Sequence, residues 1–413
     1  MHHKMPTLTR RLRHSTALRI GLAAVALVLA TAANAQLPKV TDSPPLTDEY
    51  RLTPRSSDPD QTAYVVRFPS AVGTAIEENN TVYLEVREPR DTPRPMPVVL
   101  ILHYWGATDL DVELRLAKAL TTRGIAAAIL TLPYHLQRTP KGMVSGEYAL
   151  RPDTRFLVET MTQSVFDVKR AVDWLRSRNE FDEAKIALAG TSLGAVIGSL
   201  AFAAEPRIAA AAFMLGGVDL AHLIWSSSVT ISTRNGLRAQ GYTEERLREE
   251  VAQVEPMNYA TPDRKADVLI VGARFDEVVP REATEKMIRA FGEPKTIWLD
   301  TGHYGGALVE RRLFGTVASF FEAKFSGNGF ELPSAIRAPT LRVGVHYNGE
   351  DELTVALGID LFRAKNGSFF VSAMATPEGP SLYGGMTVSK GLTVGLVLLP
   401  RKVTWGALWS IVL

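Results

Sequence analysis

The chain has 413 residues, 46% hydrophobic and 22% charged, an ordinary globular composition long enough for one large domain and a smaller one. Its 46 basic residues nearly balance 44 acidic ones, and no basic run or aromatic-interleaved patch argues for nucleic acid as a partner. Cysteine is absent, which excludes disulfide staples, thiol nucleophiles and cysteine-based metal sites and leaves stability to packing.

Arg10, Arg11, Arg13 and Arg19 precede an apolar run from Ile20 to Ala30, and Ala33-Asn34-Ala35 then offers the small residues a signal peptidase needs. Residues 1–35 therefore read as a cleaved secretory signal, and the protein is expected to be exported to the periplasm, the cell envelope or the medium. A retained anchor fits less well, because the run is about half the ~20 residues that span a bilayer. Arg10-Arg11 stands in a poor context for the twin-arginine route. Without this segment the chain carries 41 basic against 44 acidic residues, close to neutral.

Residues 36–61, rich in Pro, Ser, Thr and Asp, read as a linker. Strands are expected at Ala63 to Phe68, Thr81 to Val86 and Val98 to His103, the last a continuous apolar run suited to burial on both faces. Helical and strand patterns then alternate: helix Leu110 to Arg123, strand Ile125 to Leu132, helix Phe156 to Arg178, strand Lys185 to Ala189, helix Ala195 to Ala203 and strand Ala209 to Leu215. Strand Asp267 to Val271, helix Arg281 to Phe291, strand Thr296 to Leu299 and helix Ala307 to Phe325 complete the series. Such alternation predicts an α/β fold, a mostly parallel sheet with helices on both faces, over residues 62–328. Residues 217–262 interrupt it with a charge-laced amphipathic stretch. This is either a solvated helix pair or a cap shaping an acyl or alcohol pocket through Leu220, Leu223, Ile224 and Trp225.

The last segment, 329–413, changes to period-two alternation with turn signals at Asn348-Gly349, Asn366-Gly367, Pro377 to Pro380, Lys390-Gly391 and Pro400, and predicts a C-terminal antiparallel β-rich module of about six strands. In several strands one face is large and apolar (Leu353, Val355, Leu357, Ile359, Leu361; Trp405, Ala407, Trp409) and the other small or polar. Two readings stand: a soluble sheet resting on the first domain, or association with an outer membrane or cell envelope, for which strands approach the ~9–11 residues of a membrane-spanning β-strand. Six strands are not expected to close a barrel alone, so insertion would need oligomeric closure.

Ile186 to Ile197 carries the chemistry. It reads as a buried strand, the turn Gly190-Thr191-Ser192-Leu193-Gly194 and a helix start, the outline of a nucleophile elbow that pushes a serine hydroxyl into solvent at the sheet's end. Such a serine needs a histidine base and a carboxylate to orient it. Gly272-Ala-Arg-Phe-Asp276 follows one strand and Thr301-Gly302-His303 the next, each in a loop at a strand's C-terminal end. The candidate catalytic set is therefore Ser192, Asp276 and His303, with Glu277 or Asp300 as rival acids and a core role as the alternative for His303. His103 reads as a structural loop histidine, and His135, just past a strand, as a residue that could line the pocket. A tetrahedral intermediate needs two backbone donors, expected from the amide of Leu193 and the loop His103-Tyr104-Trp105-Gly106.

On Gly190 to Gly194, Gly272 to Pro280 and Gly302-His303, the chain resembles an α/β-hydrolase of the esterase and dienelactone-hydrolase-like kind over about residues 62–325. The resemblance implies an eight-stranded sheet and acyl transfer to water through an acyl-serine, with no cofactor and no metal. Tyr104 stands where the family's oxyanion loop usually has its first glycine, and Trp105 takes the donor position. The expected function is that of an exported serine esterase acting on a small ester or acyl substrate. A peptidase, thioesterase or acyltransferase on the same fold, or a catalytically silent envelope module, are the alternatives.

Overall fold

Strands form along the apolar runs, and their order brings the chemistry-bearing loops to one edge. The computed structural model describes residues 39–412 apart from 47–48, 56–58, 334–335, 337–339, 348–352, 365–367, 377–378, 390 and 400–401. The expected signal segment and the turn signals at Asn348-Gly349, Asn366-Gly367 and Pro400 lie outside the described residues.

β1 (Arg51–Pro54), β2 (Gln61–Pro69) and β3 (Thr81–Pro89) make an antiparallel meander. Then follow β4 (Met96–Leu102), α1 (Asp111–Thr121), β5 (Ala126–Leu130), α2 (Thr154–Arg176), β6 (Phe181–Thr191), α3 (Leu193–Ala204) and β7 (Ala210–Met214). The insertion contributes α4 (Leu220–Ser226), α5 (Ile231–Ala239) and α6 (Glu244–Val251), after which β8 (Val268–Ala273), α7 (Arg281–Ala290), β9 (Lys295–Leu299) and α8 (Glu310–Ser326) resume the alternation. The sheet order is β1-β2-β3-β5-β4-β6-β7-β8-β9. Pairing is antiparallel as far as β3 with β5 and parallel from β5 to β9.

The sheet has nine strands where the family resemblance implies eight. The extra one, β1, pairs with the outer edge of β2 and lies inside the stretch expected to be a linker over 36–61. That stretch is tied down further along, since Val40 is fully buried and the Leu46 amide donates to Asp173 at 3.1 Å.

The two faces of the sheet follow the period of two. Val99, Ile101, Ala127, Ile129, Ala187 and Ala189 meet Leu116 and Leu120 of α1 and Leu313, Phe314, Val317 and Phe321 of α8. On the other face Leu102, Leu188 and Phe213 press against Gly198 of α3, where a Cβ would lie 2.7 Å from the Leu188 side chain. Burying each such aliphatic or aromatic side chain contributes about 1.5–3 kcal/mol. The alanines of β5 and β7 let the covering helices approach the backbone closely.

The C-terminal module is β10 (Leu341–Tyr347), β11 (Leu353–Arg363), β12 (Phe369–Thr376), β13 (Gly379–Ser389), β14 (Leu392–Leu399) and β15 (Lys402–Val412), all antiparallel. β15 returns to pair with β10 from Arg342↔Val412 to Tyr347↔Ala407, closing a six-stranded barrel. The expectation that six strands cannot close alone is thus corrected. The physical reason is glycine, which permits tight backbone approach. A Cβ on Gly344 would sit 2.2 Å from the Trp409 carbonyl oxygen, one on Gly395 2.1 Å from that of Gly384, and one on Gly358 2.2 Å from the Met374 sulfur.

The space these glycines leave is filled by Phe370, Met374, Tyr383, Leu408 and a buried ion pair. The Arg342 guanidinium lies 3.7 Å from the Phe370 ring centroid, donates to both Asp360 oxygens at 3.2 and 3.0 Å and to Ser410 at 2.7 Å, and Ser372 donates to the same carboxylate. The large apolar face points outward. An open sheet laying that face on the first domain is not what forms.

Candidate active site

Ser192 sits between β6 and α3 with φ 54° and ψ −116°, a region that L-residues rarely occupy, and its amide donates to the Met214 carbonyl at 2.8 Å. The flanking glycines make that turn possible. A Cβ on Gly190 would lie 2.2 Å from the Gly194 oxygen, and one on Gly194 2.2 Å from the Leu102 oxygen at the end of β4. Strand, turn and helix are therefore pressed together at spacings that exclude any side chain.

The two loops expected to supply a base and an acid converge on this serine. His303 Nε2 lies 3.0 Å from Ser192 Oγ and its Nδ1 2.7 Å from Asp276 Oδ2. Asp276 Oδ1 accepts from the amides of Val278 at 2.8 Å and Val279 at 2.7 Å, which fixes the carboxylate from its far side. With the carboxylate held, Nδ1 carries the proton and Nε2 presents its lone pair to the hydroxyl. Of the rival acids, Asp300 pairs with Arg274 at 2.6 Å and is exposed, and Glu277 does not reach the imidazole. One expectation needs correcting: the serine hydroxyl does not stand in open solvent, because Ser192 is only 8% exposed beneath the insertion.

Ser192 instead lies where two cavities meet. One, of about 140 Å³, is almost wholly apolar and runs between α2, α4 and the ends of β5 and β6, with Leu157, Met161, Leu220, Leu223 and Ile224 on its walls. The other, of about 320 Å³, opens past His303, Tyr304, Met214 and Phe314. Trp105, Val229 and Val278 border both. The insertion is thus a cap, with Leu220, Leu223 and Ile224 as wall residues. Trp225 is not one of them and instead packs under Arg238 at 5.0 Å. Sequence reasoning missed the α2 wall. Leu157, Thr160, Met161 and Ser164 share a helix face at the right period, but the Thr and Ser hid it as a lining stripe.

The cap is pinned by a charge hub. Asp219, in left-handed geometry at φ 66°, accepts from Lys286 and from Arg248 at 3.2 Å, while Glu255 accepts from the Asp219 and Leu220 amides at 3.0 and 2.7 Å.

His103 and His135 are structural and wall residues respectively. His103 is fully buried, accepts from the Leu132 amide at 3.0 Å through Nε2 and donates from Nδ1 to Tyr104 O at 2.8 Å. Burial and the neighbouring His135 depress its pKa to about 3. His135 borders the smaller cavity and donates to Pro133 O at 2.8 Å, with a pKa lowered to about 4 by burial. Both are neutral imidazoles. The Leu193 amide opens α3, where the first N–H groups lack intrahelical partners and the dipole favours negative charge. Trp105 borders the same two cavities as Ser192, and its indole donates to Gly146 O at 2.9 Å.

A parallel sheet with elbow, cap and strand-end loops in this order defines an α/β-hydrolase, and the chain has that fold. Residues 154–323 match the model of the prolyl oligopeptidase family. The chain is 31% identical over 228 residues to "Uncharacterized protein MT2702" of Mycobacterium tuberculosis (strain CDC 1551 / Oshkosh), covering 52% of this chain and 51% of that one. It thus spans about half the length of the curated relatives it matches. Among solved structures it resembles the acetyl xylan esterase from Paenibacillus sp. R4, with TM-score 0.54 and 20% identity over 69% of this chain and 90% of that one. It also resembles acetyl xylan esterase 1 from Thermoanaerobacterium sp. JW/SL YS485, with TM-score 0.53 and 15% identity over 69% and 91%. These likenesses carry the fold, which is that of the α/β-hydrolases.

Proposed function

We propose that this protein is an exported serine hydrolase that cleaves carboxylic esters through an acyl-serine intermediate. The observation that carries the reading is the hydrogen-bonded line Asp276–His303–Ser192, ending on a strained elbow serine between two cavities. Ser192 Oγ bonds to the ester carbonyl carbon while its proton passes to His303 Nε2, and the oxyanion takes donors from the Leu193 and Trp105 amides. Collapse breaks the C–O bond to the alcohol, which leaves with the proton from His303. Water then loses a proton to His303 as it attacks the acyl carbon, and the carboxylic acid departs as that proton returns to Ser192. No step calls for a cofactor or a metal.

The smaller, almost wholly apolar cavity suits an acyl chain and the larger, more polar one an alcohol, and the fold is shared with proteins described as acetyl xylan esterases. Export rests on the reading of residues 1–35. Peptidase activity is the second reading, favoured by the family model matched over 154–323. Turnover of p-nitrophenyl esters from acetate to octanoate, set against peptide p-nitroanilides, separates the two. The ester reading expects kcat/KM on esters to exceed that on every peptide, and the reverse order would replace it with the peptidase.

A further inference from the structure

We infer that the C-terminal barrel is a lipid-embedded anchor that holds the hydrolase domain, by the loops bearing Asp276 and His303, against a membrane surface. Its occupant is the acyl region of a bilayer. This proposal is independent of which bond the enzyme cleaves.

The inside-out distribution of side chains is the first argument. Among the described residues, the positions that alternate outward on all six strands carry no charged side chain. They read Leu341, Val343, Val345 and Tyr347 on β10 and Leu353, Val355, Leu357, Ile359 and Leu361 on β11, and continue in kind to Val403, Trp405 and Trp409 on β15. Many are largely open, Leu353 at 74% and Trp405 at 56%. The inward positions hold the ion pair Arg342–Asp360 and the hydroxyls of Ser372, Ser410 and Thr393. A water-soluble barrel has the opposite arrangement, and an apolar face of this extent marks a surface that is covered.

Closure decides what covers it. A second protein lies against one side of a cylinder, whereas this apolar band runs round all six strands, so the fitting medium surrounds it. Closure also leaves no strand edge with unpaired backbone groups, the condition for a β-structure to enter hydrocarbon. The longest strands, β11, β13 and β15, have 11 residues each. At ~3.3 Å per residue and a tilt of about 45° such strands span roughly 25 Å, the height of the apolar band of membrane barrels. Between the segments that form these strands the sequence itself turns polar, reading Asn348-Gly-Glu-Asp-Glu352 after β10 and Lys365-Asn366-Gly367-Ser368 after β11. Among the described residues the six strands enclose packed side chains and a buried ion pair, which suits an anchor and not a pore.

One end of the barrel meets the active-site loops. The Arg363 guanidinium lies 4.0 Å from the ring centroid of Phe275, the residue before Asp276, and Thr340 donates to the carbonyl of Asp300, three residues before His303. Tyr304 and Leu308, one and five residues after His303, stand exposed at 57% and 51%.

The test uses the full chain, purified in mild detergent and dialysed into phosphatidylethanolamine–phosphatidylglycerol vesicles, with and without brominated acyl chains. The anchor predicts flotation with the vesicles after carbonate washing and quenching of tryptophan fluorescence by the brominated lipid, with the quenching abolished in the Trp405→Phe/Trp409→Phe variant. Leu357→Glu/Leu396→Glu should lose that quenching, with near-ultraviolet circular dichroism showing the hydrolase domain still folded. Flotation without quenching would trace membrane binding to another segment and overturn the proposal. A monodisperse monomer, or a discrete oligomer, that stays in the aqueous fraction without detergent would overturn it too.

Discussion

At Ser192 a single backbone conformation joins sequence to chemistry. The turn exists only because Gly190 and Gly194 carry no Cβ, which would meet a carbonyl oxygen at 2.2 Å in each case, so the hydroxyl's position depends on two residues that carry no side chain. Gly194→Ala should destabilise the protein by about 2–4 kcal/mol, because the new methyl meets the Leu102 carbonyl and backbone must move; urea unfolding measures it. Ser192→Ala removes one oxygen from a site that is otherwise intact, and should lower turnover by at least about a thousandfold with an unchanged melting temperature. Asp276→Asn keeps the shape but donates where the carboxylate accepts, freeing the imidazole to take the wrong tautomer. Its expected loss in kcat is about 10⁴-fold, with KM little altered.

At the scale of elements, the sheet was legible because buried parallel strands write continuous apolar runs and helices write their own period. The elbow was legible because its glycines flank a serine between those two patterns. The loop proposed to supply an oxyanion donor was less so, since such donors would be backbone groups that side-chain identity does not report. The cap's charges were visible, but the hub that pins it depends on Asp219 in left-handed geometry meeting Lys286 and Arg248 from distant parts of the chain. Barrel closure was illegible for the same reason: Arg342 pairs with Val412, and only the pairing shows that glycines such as Gly344 stand where strands must bend. Because α4 closes the smaller cavity, Leu223→Trp should fill it and lower kcat/KM for octanoate esters by about tenfold or more, while acetate esters are spared. Equal losses across the acyl series would argue that this cavity does not receive the acyl chain.

Across the whole molecule, buried titratable groups give stability a pH dependence with opposing parts. His103 and His135 are held neutral, with pKa values depressed to about 3 and about 4, so the unfolded chain binds more protons than the folded one below the ordinary histidine value near 6.5. Their contribution is complete above that value and is lost as pH falls through 4 and then 3. Glu113 works the other way: burial raises its pKa from 4.5 to about 7, so the folded chain binds the extra proton and stability falls as pH rises between those values. Two histidines outweigh one glutamate, and melting temperature should drop from pH 6.5 to pH 4. Glu113→Gln should steepen that drop and, by removing a charge burial penalty, stabilise the protein at pH 8 by on the order of 1–3 kcal/mol. A Glu113→Gln melting curve superimposable on wild type at pH 8 would show that the carboxylate finds water when ionised.

The proposed roles of Ser192 as nucleophile and His303 as its base stand at the centre of this picture, and labelling with a fluorophosphonate probe tests them most directly. Wild-type protein should become labelled on Ser192, as read by mass spectrometry of the digested adduct, and both Ser192→Ala and His303→Ala should remain unlabelled. Failure of well-folded wild type to react, or equal labelling of Ser192→Ala, would contradict the assignment.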